Sequence, residues 1–231
     1  MALCVDLWLW SLDPPADRAA ALARHLSAEE EARAARFLKP RDAARYRAGR
    51  GRMREILGDR TDTDPAALRF GHTRFGRPFL AGGPDFNLSH SAGWAALAVS
   101  SGGTPVGIDI EAFREVEHDV ADRFFSPAER CALSALDPDR WAEGFFRAWT
   151  RKEALLKALG DGLNLPLADF DVTLAPGAPA RLTASRTGAL APEDWTLLHL
   201  DLAPGFVGCI AVRAEGAGVA LDIREGALPL P

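Results

Sequence analysis

Apolar and polar positions along the chain follow two rhythms. A period of two, the mark of a strand with one buried face, runs through residues 3–10, where Val5, Leu7 and Leu9 share a side. It returns in VGIDIE, residues 106–111, and an apolar run at 94–100 reads as the strand before it. Helical spacing predicts segments at 16–26, at 28–38 and, after Pro40, over the basic stretch 41–57. Ser27 with Glu30 three residues on forms a capping-box signature for the second of these. Residues 68–80 read as a hairpin or open loop around Gly71 and Gly76, and FNLSHS, residues 86–91, as a loop. Further helices are expected at 116–125, from Ser126 and Pro127 onward, and at 139–159, the last stopped by Gly160 and Gly162. Strands follow at 170–174, 181–183, 195–202, 206–213 and 219–223, then a loose tail, GALPLP. The fold class is α+β.

The pattern repeats once. Val99-SSGGTP-Val106-G-Ile108-Asp109-Ile110 aligns without a gap on Val212-RAEGAG-Val219-A-Leu221-Asp222-Ile223, an offset of 113 residues. Helices, a hairpin-like segment and paired strands occur in each half, so two similar halves are expected, residues 1–108 and 109–231, with a ligand cleft between them. Arg224 stands where the first copy has Glu111.

In VGIDIE one face carries Val106, Ile108 and Ile110, the other Gly107, Asp109 and Glu111. Two carboxylates side by side repel unless a cation or a lysine lies between them. Taken alone, the hexapeptide reads better as a strand running out into solvent, or as a pair of acids awaiting surface arginines, than as a cation site. A helix further on adds weight to a cation between the acids. With Phe145 at zero and 100° per residue, Glu153 falls at about 80°, inside the apolar arc with Trp149 and Phe146, while Lys152 lies within the same arc and Lys157 at its margin. An i, i+4 pair of Glu153 with Lys157 is worth only about 0.2–0.5 kcal/mol on an exposed helix, too little to justify burying the acid. A site shared by Asp109, Glu111 and Glu153 is the stronger reading. Hard oxygen donors suit magnesium, and lysines beside it suit a pyrophosphate, so the reaction class is transfer or hydrolysis at phosphorus.

Composition narrows the setting. The chain has 231 residues, 48% hydrophobic and 26% charged, as in ordinary globular proteins. Its apolar opening is too short to span a membrane and lacks the marks of a signal peptide, so a cytoplasmic location is expected. Cys4, Cys131 and Cys209 are far apart, without a CxxC, and read as reduced and buried. A net charge of −5 argues against a general nucleic-acid binder. Yet residues 33–60 hold ten basic side chains against three acidic ones, which is either a solvated helix face or a surface for phosphates or an acidic partner.

FNLSHS, VGIDIE, FFSPAE and WTRKEALLKALGDGL, in this order, with GRPF at residues 76–79 and the basic helix before it, resemble the 4′-phosphopantetheinyl transferases of the surfactin-synthetase-activating type. The resemblance covers residues 25–170. It implies a pseudo-twofold α+β monomer whose cleft binds coenzyme A and magnesium, needing no nucleic acid or membrane. The implied reaction moves the phosphopantetheine arm onto a serine of an apo acyl or peptidyl carrier protein and releases 3′,5′-ADP. By this similarity Asp109, Glu111 and Glu153 hold the metal and Glu153 is the base. Lys157 neutralises the pyrophosphate and protonates the leaving group, with Lys152 supporting the same phosphates. Arg33, Arg45, Arg77, Asn87, Ser89 and His90 contact coenzyme A. Glu129 matches an acid near the metal, but as the acid of SPAE it reads better as a helix cap. A magnesium-dependent CoA or nucleotide pyrophosphatase, and a non-catalytic module binding CoA or a carrier protein, are the alternatives.

Overall fold

The computed structural model describes residues 2–160 and 165–225; Gly162 and the tail GALPLP, residues 226–231, lie outside the described residues. The first half runs β1 (Leu3–Ser11), α1 (Ala16–Ala23), α2 (Ala28–Ala34), α3 (Pro40–Thr61), a short β2 (Gly71–His72) and β3 (Pro78–Phe79), then β4 (Asp85–Ser91) and β5 (Trp94–Ser100). The second repeats that order: β6 (Val106–Ala112), α4 (His118–Phe124), α5 (Pro127–Ser134), α6 (Trp141–Leu159), β7 (Phe170–Val172), β8 (Leu182–Ser185), β9 (Trp195–Ala203) and β10 (Phe206–Arg213). A last strand, β11 (Val219–Glu225), returns to the first half. The sheets are ordered β11-β1-β5-β4 and β6-β10-β9. β11 lies parallel to β1, whereas β1 with β5 and β6 with β10 are antiparallel. The fold is therefore α+β, two similar halves, with the last strand added to the sheet of the first. The expected division at 108/109 falls inside β6.

Period-two alternation decides which layer each side chain joins. One face of the first sheet, with Trp8, Trp10, Ala95, Leu97 and Val99, packs on Met53, Ile56 and Leu57 of α3. In the second half Val207, Cys209 and Ala211 pack on Phe145, Leu155 and Ala158 of α6. The remaining faces meet each other: Val5, Leu7, Leu9, Ala96 and Ala98 against Val106, Ile108, Ile110, Ile210 and Val212. The layers run helix, sheet, sheet, helix, and the apolar side of VGIDIE is at the centre.

Local chemistry marks the helix ends. Ser27 with Glu30 opens α2, and Ser126 with Glu129 opens α5, each as a reciprocal capping box. Gly160, at φ 71°, ends α6 in the left-handed conformation that glycine adopts at least cost.

Three expectations change. FNLSHS is not a loop but most of β4, paired along its length with β5; its polar alternate residues hid the strand because they face β6 and not water. Cys131 is exposed, while Cys209 is buried and Cys4 partly so. The arginines of α3 form neither an open basic face nor, for the most part, a ligand surface. Arg50 and Arg54 pair with Glu30 at 2.7 Å, Arg47 with Glu31 at 2.9 Å, and Arg60 with Asp6. They tie α3 to α2 and β1.

Candidate active site

β6 presents Gly107, Asp109 and Glu111 toward α6. A Cβ on Gly107 would overlap the Ala154 carbonyl and the Ala158 amide, so only glycine lets the helix backbone settle there. That approach lays the Glu153–Lys157 turn of α6 beside Asp109. Lys157 Nζ lies 2.6 Å from Asp109 Oδ1, 3.2 Å from Ser89 Oγ and 3.1 Å from the Ile108 carbonyl. The second carboxylate oxygen, Asp109 Oδ2, is buried and has no hydrogen-bond partner.

The other edge of β6 faces β4. Asn87 Oδ1 accepts the Ile108 amide at 3.0 Å, Ser89 Oγ that of Ile110 at 3.2 Å and Ser91 Oγ that of Ala112 at 3.1 Å. Ser89 donates its hydroxyl to Asp109 Oδ1 at 2.9 Å, and Ser91 donates to Glu111 Oε2 at 2.7 Å. Arg114 reaches the same Glu111 oxygen at 2.8 Å.

Burial and mutual repulsion act on the acids together. Desolvation pushes the Asp109 carboxyl above its ordinary range; Lys157 opposes this, and the charge of Glu111 adds to it. Desolvation also raises Glu153, reinforced by Asp109 and Glu111 and countered by Lys157. The three carboxylates thus share one electrostatic environment. Glu153 and Lys157 line a cleft with Arg77, Asn87, Gly160 and the turn of Phe75, Gly76 and Pro78, about 270 Å³ in volume.

Not every expected residue arrives there. Lys152 is wholly buried, with Nζ 2.8 Å from Glu129 and 2.7 and 2.5 Å from the carbonyls of Leu167 and Phe170. With no exposed surface and its donors committed, it holds α6 to α5 and β7 and offers nothing to a phosphate. Glu129 is its counter-ion as well as the cap of α5, and accepts the Val172 amide at 2.8 Å. Arg45 is bound to Asp13, at 2.9 and 2.5 Å. Arg33 stands over the Tyr46 ring, in a neighbouring groove with Arg50, Arg54, Arg69 and His72. Arg77 lines the cleft but spends its guanidinium on Asp85 and the carbonyls of Ala158, Phe86 and Val106. His90 is exposed on β4. Sequence reasoning missed Ser91 and Arg114 as partners of Glu111. The signal for Ser91 was present, since it continues the i, i+2 row of Asn87 and Ser89.

Residues 105–211 match the 4′-phosphopantetheinyl transferase superfamily, and residues 10–102 match the 4′-phosphopantetheinyl transferase N-terminal family. The 4′-phosphopantetheinyl transferase HetI of Nostoc sp. is 38% identical over 219 residues, 92% of this chain and 89% of the relative. The chain belongs to the 4′-phosphopantetheinyl transferase superfamily. Two transferases of this superfamily from Bacillus subtilis agree over a shorter span. One is 40% identical over 151 residues, 64% of this chain and 66% of the relative, and Sfp is 36% identical over the same shares.

A divalent ion is implied by the superfamily. Among the described residues no three His, Cys, Asp or Glu side chains are gathered as a finished ligand set; in this structure the cation held by Asp109 is the Lys157 ammonium. The donor chemistry nonetheless fits. An orphaned buried carboxylate oxygen beside two further acids is a hard anionic set of the kind that holds magnesium. No helix among the described residues is long and apolar enough to cross a membrane.

Proposed function

We propose that this chain transfers the 4′-phosphopantetheine arm of coenzyme A to a serine of an apo acyl or peptidyl carrier protein. The observation that carries the reading, within this superfamily, is that Lys157, which lines the cleft with Glu153, is bonded to the buried Asp109 just behind it, whose charge acts on Glu153 and whose second oxygen is unsatisfied. Asp109, Glu111 and Glu153 would hold a magnesium ion, which when bound would supply positive charge to the pyrophosphate. In this reading residues 1–108 form the CoA-phosphate side and residues 109–231 bring the metal-site strand end and α6.

Glu153 takes the proton of the carrier serine hydroxyl. A carboxylate with a raised pKa is better matched to that task near neutral pH than an ordinary one. The serine oxygen forms its bond to the β-phosphorus as the bond to the 3′,5′-ADP oxygen breaks. Lys157 is placed to give that oxygen a proton, exchanging one of its three present acceptors for a phosphate. Asn87, Ser89, Arg77 and the more distant Arg33, Arg45 and His90 are taken as the CoA side of the cleft; Lys152 is left out because it has no exposed surface and is committed to Glu129. Three free thiols fit a reducing, cytoplasmic setting for a monomer.

Two incubations test the reading. With CoA, magnesium and an apo carrier protein, the carrier serine should gain one phosphopantetheine and 3′,5′-ADP should appear. With CoA and magnesium but no carrier nothing should be released; free phosphopantetheine there would mark a pyrophosphatase instead.

A further inference from the structure

Ser91 takes no part in the chemistry above, yet it completes a device that β4 builds for β6. On one edge β6 is laddered to β10; β4 pairs with β5 and not with β6. Without partners the amides of Ile108 and Ile110 on the remaining edge would be buried and unpaired, an expensive state, and that of Ala112 partly so. Alternate side chains of β4 satisfy them in turn: Asn87 for Ile108, Ser89 for Ile110, Ser91 for Ala112. His90, between them, faces outward and is exposed.

A serine that accepts from an amide still has its single proton to give. Ser89 gives it to Asp109 and Ser91 to Glu111, each the residue just before the amide it satisfies. One hydroxyl thereby locks a carboxylate to the backbone beside it. Arg114 also touches Glu111, but its side chain is 56% exposed and can exchange with water. Ser91 is the partner fixed by the fold.

We propose that Ser91 is a positioning residue that orients Glu111 for the divalent cation, the outermost rung of a side-chain ladder joining the two halves. This rests on the reading of Glu111 as a metal-holding residue. Partners of this kind commonly change metal affinity about 10–100-fold when removed.

The test compares the parent with Ser91→Ala and Ser91→Thr. Two readouts are the Mn²⁺ affinity of the free protein, by electron paramagnetic resonance, and the Mg²⁺ concentration giving half-maximal carrier loading. Ser91→Ala is expected to weaken Mn²⁺ binding and raise the Mg²⁺ requirement by about tenfold or more, with KM for CoA unchanged at saturating Mg²⁺. Ser91→Thr, which keeps the hydroxyl, should recover most of the loss. If Ser91→Ala does not fold, Ser91→Cys, close in size but a poor hydrogen-bonding group, carries the same two readouts. An active parent whose Ser91→Ala form melts lower but keeps the parental Mn²⁺ and Mg²⁺ dependence overturns the inference alone. A parent that neither binds Mn²⁺ nor loads any carrier overturns the functional reading with it.

Discussion

β6 and β11 carry the two copies of the sequence repeat, and their electrostatic outcomes are opposite. At the end of β11, Arg224 lies 2.6 Å from Asp6 and 2.9 Å from Asp222, and Arg60 also pairs with Asp6. Two acids meet two arginines. At β6 the acids Asp109, Glu111 and Glu153 are met by Lys157 and Arg114, and Asp109 Oδ2 remains unpartnered. Backbone fit separates them as well. Gly107 admits α6 against β6, whereas its counterpart Ala220 sits in a parallel ladder opposite Cys4. A repeated frame holds its chemistry where a small residue admits a helix and charge is left over.

The largest effect expected from breaking that contrast is at β6. Asp109→Ala should lower carrier loading by about 10³-fold or more with an unchanged circular dichroism spectrum. Asp222→Asn, its counterpart on β11, should stay within about twofold. Similar losses in both variants, read in the same loading assay, would show that the halves are not functionally distinct.

Next comes the buried pair behind α6. Glu129→Ala strands the Lys152 ammonium without its counter-ion and should cost about 3–5 kcal/mol in denaturant unfolding. KM for CoA should not move, because Lys152 does not reach the cleft. A raised KM with intact stability would return Lys152 to the phosphates.

The smallest effect is a gain. Because the folded-state pKa of Glu153 is raised, its contribution to stability is complete below the ordinary value of 4.5 and is lost as pH rises through the raised one. Glu153→Gln stays neutral throughout. In metal-free buffer it should melt a few degrees above the parent at neutral pH, the gap opening as pH climbs, while transfer is lost. Equal melting temperatures across that range would mean Glu153 is not strained by its neighbours.

Much of this was legible beforehand, for physical reasons that differ by residue. Val106, Ile108 and Ile110 alternate because they fill the layer between the sheets, and such a pattern needs no partner to be read. Glu153 stood out as an acid on an apolar arc. The same arc misled for Lys152, because α6 is buried on several faces and a helical angle does not say which neighbour a charge meets. The arginines of α3 read as a solvated face or a ligand surface because their partners Glu30, Glu31 and Asp6 are remote in sequence. Ser91 continues the row of Asn87 and Ser89, but the amide and carboxylate it serves belong to another strand, so the row alone did not say what it does.

The most direct test is the intact mass of an apo carrier protein incubated with this chain and CoA, with Mg²⁺ and after chelation by EDTA. A gain of one phosphopantetheine on the serine with Mg²⁺, and none with EDTA or with Asp109→Ala, is the expected result. No gain on any of several apo carriers, or an equal gain in EDTA, would contradict a divalent-cation transferase built on β6 and α6.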